Sequence, residues 1–177
     1  TDEIDASAQD GQGNYVIPGL VDIHMHIESS MTTPTEFSNS VLPFGTTTVV
    51  ADAHEVANVF GEQGLLDYMD HKQVLDVFYA IPSSVPSTNA FLESSGGFVD
   101  EAVVTRLCQH AAVIALGEVM NAHDLITRED TLTKRIIKAF RLALPLAPIE
   151  GHCPRIHGEA LAAFIASGVN SMTIFAS

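Results

Sequence analysis

Six short apolar runs recur along the 177 residues, and longer segments of helical periodicity separate them. The runs cover residues 16–26, 45–52, 74–82, 111–120, 144–154 and 168–176. The second, "GTTTVVAD", is β-branched and strand-like, whereas prolines interrupt the fifth, "LPLAPIEGHCP". Helices are expected over 34–44, opened by Pro34 and Thr35 and ended by Pro43, and over 55–71, interrupted by Gly61 and Gly64. Better amphipathic patterns fill 98–110 and 128–144, and a short helix over 157–168 ends on Gly168 as a cap. A strand–helix unit thus repeats about five times before a sixth strand. Near-continuous apolar strands alternating with helices imply a parallel sheet covered by helices. The choice is between an open doubly wound sheet and a (β/α)8 barrel, for which the chain is short, since such barrels take about 250 residues. The irregular stretch 82–97 begins where the third strand ends, as a loop over a site would.

The first run, "VIPGLVDIHMH", ends in two histidines. Residues i and i+2 of a strand point to one side, so His24 and His26 present their rings together. They do so at the carboxyl end of a strand, where parallel α/β folds build their sites. Two half-buried histidines, each satisfied by a hydrogen bond, would explain this pair equally well in isolation. The other strand ends change the balance. Asp52, His54 and Glu55 end the second strand, Glu118 the fourth, and Glu150 and His152 the fifth. Buried charges are costly unless paired or coordinating, and a metal centre accounts for the whole set. His24, His26 and His152 then supply nitrogen ligands, and Glu118 supplies oxygen and can bridge two metals. A water on such a metal becomes a nucleophile near neutral pH. His54 and Glu55 are expected to support the ligands or touch substrate. Glu28, Ser29 and Ser84 are substrate-binding candidates by position. The donor set accepts Mn, Fe or Zn.

Other motifs carry less. No serine sits in a G-x-S-x-G elbow, and "GQGNYV" is not a dinucleotide fingerprint and precedes its strand. Cys153 is expected to be a small buried residue, and Met25, Met31 and Met120 to serve packing. His71, His110, His123 and His157 are expected to be solvated.

Composition narrows the partners. With 8 Lys+Arg against 22 Asp+Glu, the net charge of −14 repels a phosphate backbone and argues against nucleic acid. At 46% hydrophobic and 17% charged residues the chain reads as globular. No apolar run reaches the roughly 18 residues of a membrane span. The acidic start is unlike a secretory signal or transit peptide. Two cysteines far apart form no disulfide framework and suit a reducing cytoplasm.

The first strand, "PGLVDIHMH", resembles the amidohydrolase superfamily pattern PG-[LIF]-[IV]-D-x-H-x-H. Together with "HIESSM", "TTTVVADAHEVANV", "PSSVPST", "LGEVMN" and "GHCP" in this order, it is similar to the adenine deaminase family over residues 15–168. The resemblance implies a partial (β/α)8 TIM-type barrel of about six parallel strands over 16–177, with 1–15 a remnant of an amino-terminal β-sandwich or linker. It implies hydrolytic deamination of adenine to hypoxanthine and ammonia in purine salvage, by a binuclear Mn or Fe centre. His24 and His26 match the first-strand ligands, Glu118 the bridging carboxylate and His152 the fifth-strand ligand. Adenine is then the small-molecule partner, and a homo-oligomer is expected. The family continues with a sixth-strand S-D-H-E motif and an Asp at the end of strand eight. The matching stretch here reads "NSMTIFAS", without His, and "EGHCP" stands where Asp-Gly-His-Ala is commoner. The chain is therefore expected to be a fragment truncated at both ends and inactive in isolation. The alternatives are another amidohydrolase, acting on a cyclic amide or a different aminopurine, and an inert truncated barrel.

Overall fold

The computed structural model of the chain describes residues 9–87 and 91–173. Six strands alternate with six α-helices: β1 Leu20–Met25, β2 Thr46–Asp52, β3 Asp76–Ile81, β4 Val113–Val119, β5 Ile149–Gly151 and β6 Ser171–Met172. The helices are α1 Pro34–Val41, α2 His54–Met69, α3 Glu101–Leu107, α4 Ala122–Thr127, α5 Leu132–Ala143 and α6 Gly158–Ala166. Every neighbouring strand pair is parallel, and the spatial order is β1-β2-β3-β4-β5-β6. A doubly wound sheet reverses its winding direction at a switch point. A sheet that follows the chain order strand by strand is the wall of a (β/α)8 barrel, so the architecture is a partial barrel.

Local chemistry sets the helix starts. Thr33 accepts from the Glu36 amide with Pro34 at the first helical position, and Asp100 accepts from the Ala102 and Val103 amides at 3.0 and 2.9 Å. Thr131 caps α5 by accepting from the Lys134 amide. Asn121 likewise caps α4, a helix that the apolar periodicity did not announce. Helix α1 stops at Val41, and Pro43 lies in a 3-10 turn, Leu42–Phe44, that Gly45 closes at φ 95°. Gly61 breaks α2 with φ 64°, a conformation that costs glycine little.

The core forms where β2, β3 and β4 meet the helices. Val49, Ala51, Leu116, Phe140, Ile149 and Phe164 are all buried. Helix α5 contributes Ile136, Ile137 and Phe140 to it.

Several expectations are corrected. Strand β1 begins at Leu20, because Pro18 has no amide to donate, and Tyr15 and Val16 are 94% and 98% exposed. The fifth strand shrinks to three residues after Pro145 and Pro148. The expected sixth strand extends into residues 174–177, and the amino-terminal segment begins in 1–8; both stretches lie outside the described residues. Met31 is 95% exposed at φ 57°, so it does not pack. His110 is only part-exposed and is not free in solvent: its Nε2 pairs with Asp70 at 3.2 Å and its Nδ1 accepts from the Ala112 amide. Both cysteines are free, and Cys153 is buried as expected. No helix among the described residues is long and apolar enough to cross a membrane.

Candidate functional site

The carboxyl ends of β1, β2, β4 and β5 converge on one side chain. Glu118, near the end of β4, is 7% exposed. Its Oε1 faces His24 Nε2 at 3.2 Å and His152 Nδ1 at 3.5 Å. Its Oε2 faces His26 Nε2 at 3.7 Å and His54 Nδ1 at 3.8 Å. One carboxylate thus meets imidazoles from two strand ends, those of β1 and β5, and from the first residue of α2.

The rings are aimed by further contacts. His26 Nδ1 donates to the Asp52 carbonyl at 2.6 Å. A carbonyl can only accept, so the proton is fixed on Nδ1 and the Nε2 lone pair is left toward Glu118. His24 Nδ1 bonds Glu150 Oε2 at 3.0 Å, which orients that ring from β5. His54 Nδ1 stands 3.6 Å from Asp52 Oδ1, and its Nε2 stands 3.8 Å from Glu55 Oε2. Ser29 donates to Glu55 Oε1 at 2.8 Å.

Asp52 is the most constrained of these groups. It is 1% exposed, and neither carboxylate oxygen has a hydrogen-bond partner among the described residues. Its space exists because position 117 is glycine: a Cβ there would lie 2.2 Å from Asp52 Oδ2.

Charge compensation appears in the ionisation of the cluster. Hydrogen bonds to Glu118 and Glu150 outweigh burial and push His24 up to about 10. Burial opposes a charge on His54, but the Asp52 contact and nearby carboxylates bring it up to about 9. Burial also opposes ionisation of Glu118, yet His24, His26 and His152 hold its carboxyl below the usual range. Burial raises Asp52. Glu28 sits in a 3-10 turn, Glu28–Ser30, where burial and its contact with Glu55 raise it to about 8. Glu55 is held at about 2, its own burial outweighed by contacts with Glu28 and Ser29 and by the His54 charge.

These donors fit a divalent transition metal. Three groups each bring one ligand atom per residue within 4.8 Å of the others: His24, His26 and Glu118; His26, His54 and Glu55; and Asp52, His54 and Glu118. Several of the separations, at 3.5–3.9 Å, are too long for hydrogen bonds. They lie within the roughly 3.0–4.2 Å expected of two atoms that each ligate one ion at about 2.1 Å. Imidazolium does not ligate, so a cation bound here displaces protons from the histidines.

The structure therefore brings together His24, His26, His54, Glu55, Glu118 and His152, with Glu28 and Ser29 joined to the group through Glu55. Ser84 is 8% exposed in the loop after β3. Its neighbour Ser83 makes the tie to the site, donating to the Glu118 carbonyl at 2.9 Å. Residues 88–90 of that loop lie outside the described residues. The sequence placed Asp52 and Glu150 at strand ends without giving either a role. For Asp52 a signal was available, since it precedes His54 by two residues, the spacing that paired His24 with His26.

A model of the amidohydrolase family matches residues 15–175. The chain is 52% identical over 161 residues to the adenine deaminase of Clostridium perfringens strain ATCC 13124, covering 91% of this chain and 28% of that protein. It is 48% identical over 166 residues to the adenine deaminase of Lactobacillus delbrueckii subsp. bulgaricus, covering 94% and 29% respectively. It is 51% identical over 162 residues to adenine deaminase 2 of Oenococcus oeni, covering 92% and 29%. The chain thus spans under a third of the length of these relatives.

Proposed function

The chain belongs to the amidohydrolase family, and we propose that it serves the hydrolytic deamination of adenine to hypoxanthine and ammonia in purine salvage. The observation that carries this reading is Glu118, whose two oxygens each face two imidazoles at 3.2–3.8 Å. Relatives named adenine deaminase at about half identity direct it to adenine.

In this reading His24, His26, His152 and Glu118 would hold the divalent metal centre, of manganese or iron type, with Glu118 as its shared carboxylate; zinc also suits the donors. A cation bound there supplies a Lewis acid that brings the pKa of water toward neutrality. Glu150 orients His24, and the Asp52 carbonyl fixes the His26 tautomer. Water adds to the amidine carbon of adenine, the bond to the exocyclic nitrogen breaks, and ammonia leaves. Both protons of the water are redistributed: one passes to the leaving nitrogen, and the other replaces the proton that a carboxylic acid gives to the purine ring. His54, beside Glu118, and Glu55, 3.8 Å from His54 Nε2, are placed to take the first off the water and pass it to the leaving nitrogen. Glu28, at about 8, keeps a proton at neutral pH that it can give to a ring nitrogen of the purine. Ser29 and Ser84 are the further substrate contacts. The proposal includes homo-oligomeric assembly and a cytoplasmic setting, which two free thiols support.

The test is a chimera, because the chain spans 28% of its Clostridium perfringens relative. This chain replaces the matching segment of that enzyme, and the manganese-loaded product is assayed for ammonia from adenine, adenosine and dihydropyrimidines. Ammonia from adenine alone, abolished by Glu118→Gln, is expected. A soluble, metal-loaded chimera active only on a cyclic amide would transfer the site to another amidohydrolase reaction.

A further inference from the structure

We propose that the Ser83 hydroxyl positions Glu118, by holding a bulge in β4 that turns the carboxylate toward the imidazoles. This inference rests on the reading of a cation centre at Glu118 and adds the group that aims it. Strand β4 does not run evenly past β5. Leu116 pairs with Ile149 and Val119 with Gly151, three steps on one strand against two on the other. The extra residue falls in Gly117–Glu118. Bonds on either side show its effect: the Leu116 amide donates to the Pro148 carbonyl at 3.0 Å, and the Val119 carbonyl accepts from the His152 amide at 3.0 Å. In an even strand, residues two apart offer their backbone groups to the same neighbour. Leu116 and Val119 are three apart, yet both face β5, so the strand takes up one residue between them. Bulges of this kind re-aim a side chain beside a site.

The bulge leaves the Glu118 carbonyl in need of a donor. Pairing with β3 ends at Ile81 and Leu116, before Glu118 is reached. Ser83 bridges the gap from just beyond β3, donating its hydroxyl to the Glu118 carbonyl at 2.9 Å. Ser83 and Glu118 are both buried, and a buried carbonyl without a donor is costly. Ser83 Oγ also lies 3.4 Å from Ser84 Oγ. A carbonyl only accepts, so the single proton of Ser83 goes to Glu118, and Ser84 is the donor between the two hydroxyls. The Ser83 hydroxyl is thus fixed in one orientation. It holds the main chain of Glu118 from the β3 side, while His24 and His152 meet the carboxylate from β1 and β5. Ser83 acts on the centre through Glu118, so it is a positioning residue.

The experiment is calorimetric titration of the purified protein with Mn²⁺, with urea unfolding and circular dichroism on the same samples. Ser83→Ala removes the donor, and Ser83→Cys replaces it with a weak one at nearly the same volume. Each folded variant is expected to bind manganese about 10-fold more weakly than wild type, the lower end for groups that orient a ligand. Ser95→Ala, which removes another loop hydroxyl that donates to a backbone carbonyl, that of Gly97, is expected to bind as wild type does. A hydroxyl that served stability alone would lower the urea midpoint and leave the affinity of the folded protein unchanged. Wild-type affinity in either folded Ser83 variant therefore overturns the inference and leaves the centre standing. An equal loss in Ser95→Ala also overturns it, because the loop rather than the Ser83 bond would then set the affinity. A wild type that binds no manganese overturns the centre itself, and the aim assigned to Ser83 with it.

Discussion

Gly117→Ala isolates the packing on which the Asp52 corner depends. Gly117 is buried in β4 with an ordinary backbone conformation, so alanine meets no strain in φ. The obstacle is steric. The new methyl would lie 2.2 Å from Asp52 Oδ2 and 2.6 Å from its Cγ, more than an ångström inside van der Waals contact. Asp52 has a short side chain on a strand paired on both sides, and its carbonyl holds His26. It can retreat only by rotating into packed neighbours. Overpacking of this kind costs about 1–3 kcal/mol, which moves a urea midpoint down by about 1 M at a slope of about 2 kcal/mol per molar. The same substitution in an Asp52→Ala background meets no carboxylate and should cost under about 0.5 kcal/mol. The coupling between the two positions is then about 1–2 kcal/mol by a double-mutant cycle. Equal cost in both backgrounds would refute the claim that Gly117 exists to house Asp52.

Three further outcomes follow from the same geometry. His24 is raised from its usual 6.5 to about 10 by Glu118 and Glu150, so its protonated form stabilises the metal-free fold. That contribution is complete below about pH 6.5 and is lost as pH rises through about 10; denaturation in chelator at pH 6, 8 and 10 should show it, and an unchanged slope in His24→Gln would contradict it. Glu118→Gln removes the charge that the imidazoles share, and calorimetry should find manganese affinity lowered by more than about 100-fold. Glu150→Gln only loosens the aim of His24, so it should lower affinity by the 10–100-fold typical of such supporting groups while the number of bound ions stays the same.

Much of the fold could be read from periodicity and punctuation. Six apolar runs became six strands in the expected order, and the i, i+2 spacing correctly put His24 and His26 on one side. Prolines and exposed apolar side chains hid the strand limits, because a run of hydrophobic residues does not say which of its amides are paired. Helix α4 is six residues long and held by the Asn121 cap, too short for periodicity to register. The histidines and carboxylates at the strand ends could be named one by one, but their grouping needed the sheet order. Asp52 shows the limit most clearly. Its role depends on a glycine 65 positions later in the chain, a relation that only the pairing of β2 with β3 and of β3 with β4 creates. His110 was misjudged for a similar reason: its partner, Asp70, lies 40 residues away at the end of another helix.

The most direct measurement is anomalous diffraction at the manganese absorption edge from crystals of the manganese-loaded protein. The account predicts anomalous density beside the Glu118 carboxylate, about 2.0–2.3 Å from its oxygens and from ring nitrogens of the facing histidines. Ordered crystals with Glu118 in place and no anomalous peak between it and His24, His26, His54 or His152 would contradict the metal centre on which the proposed function stands.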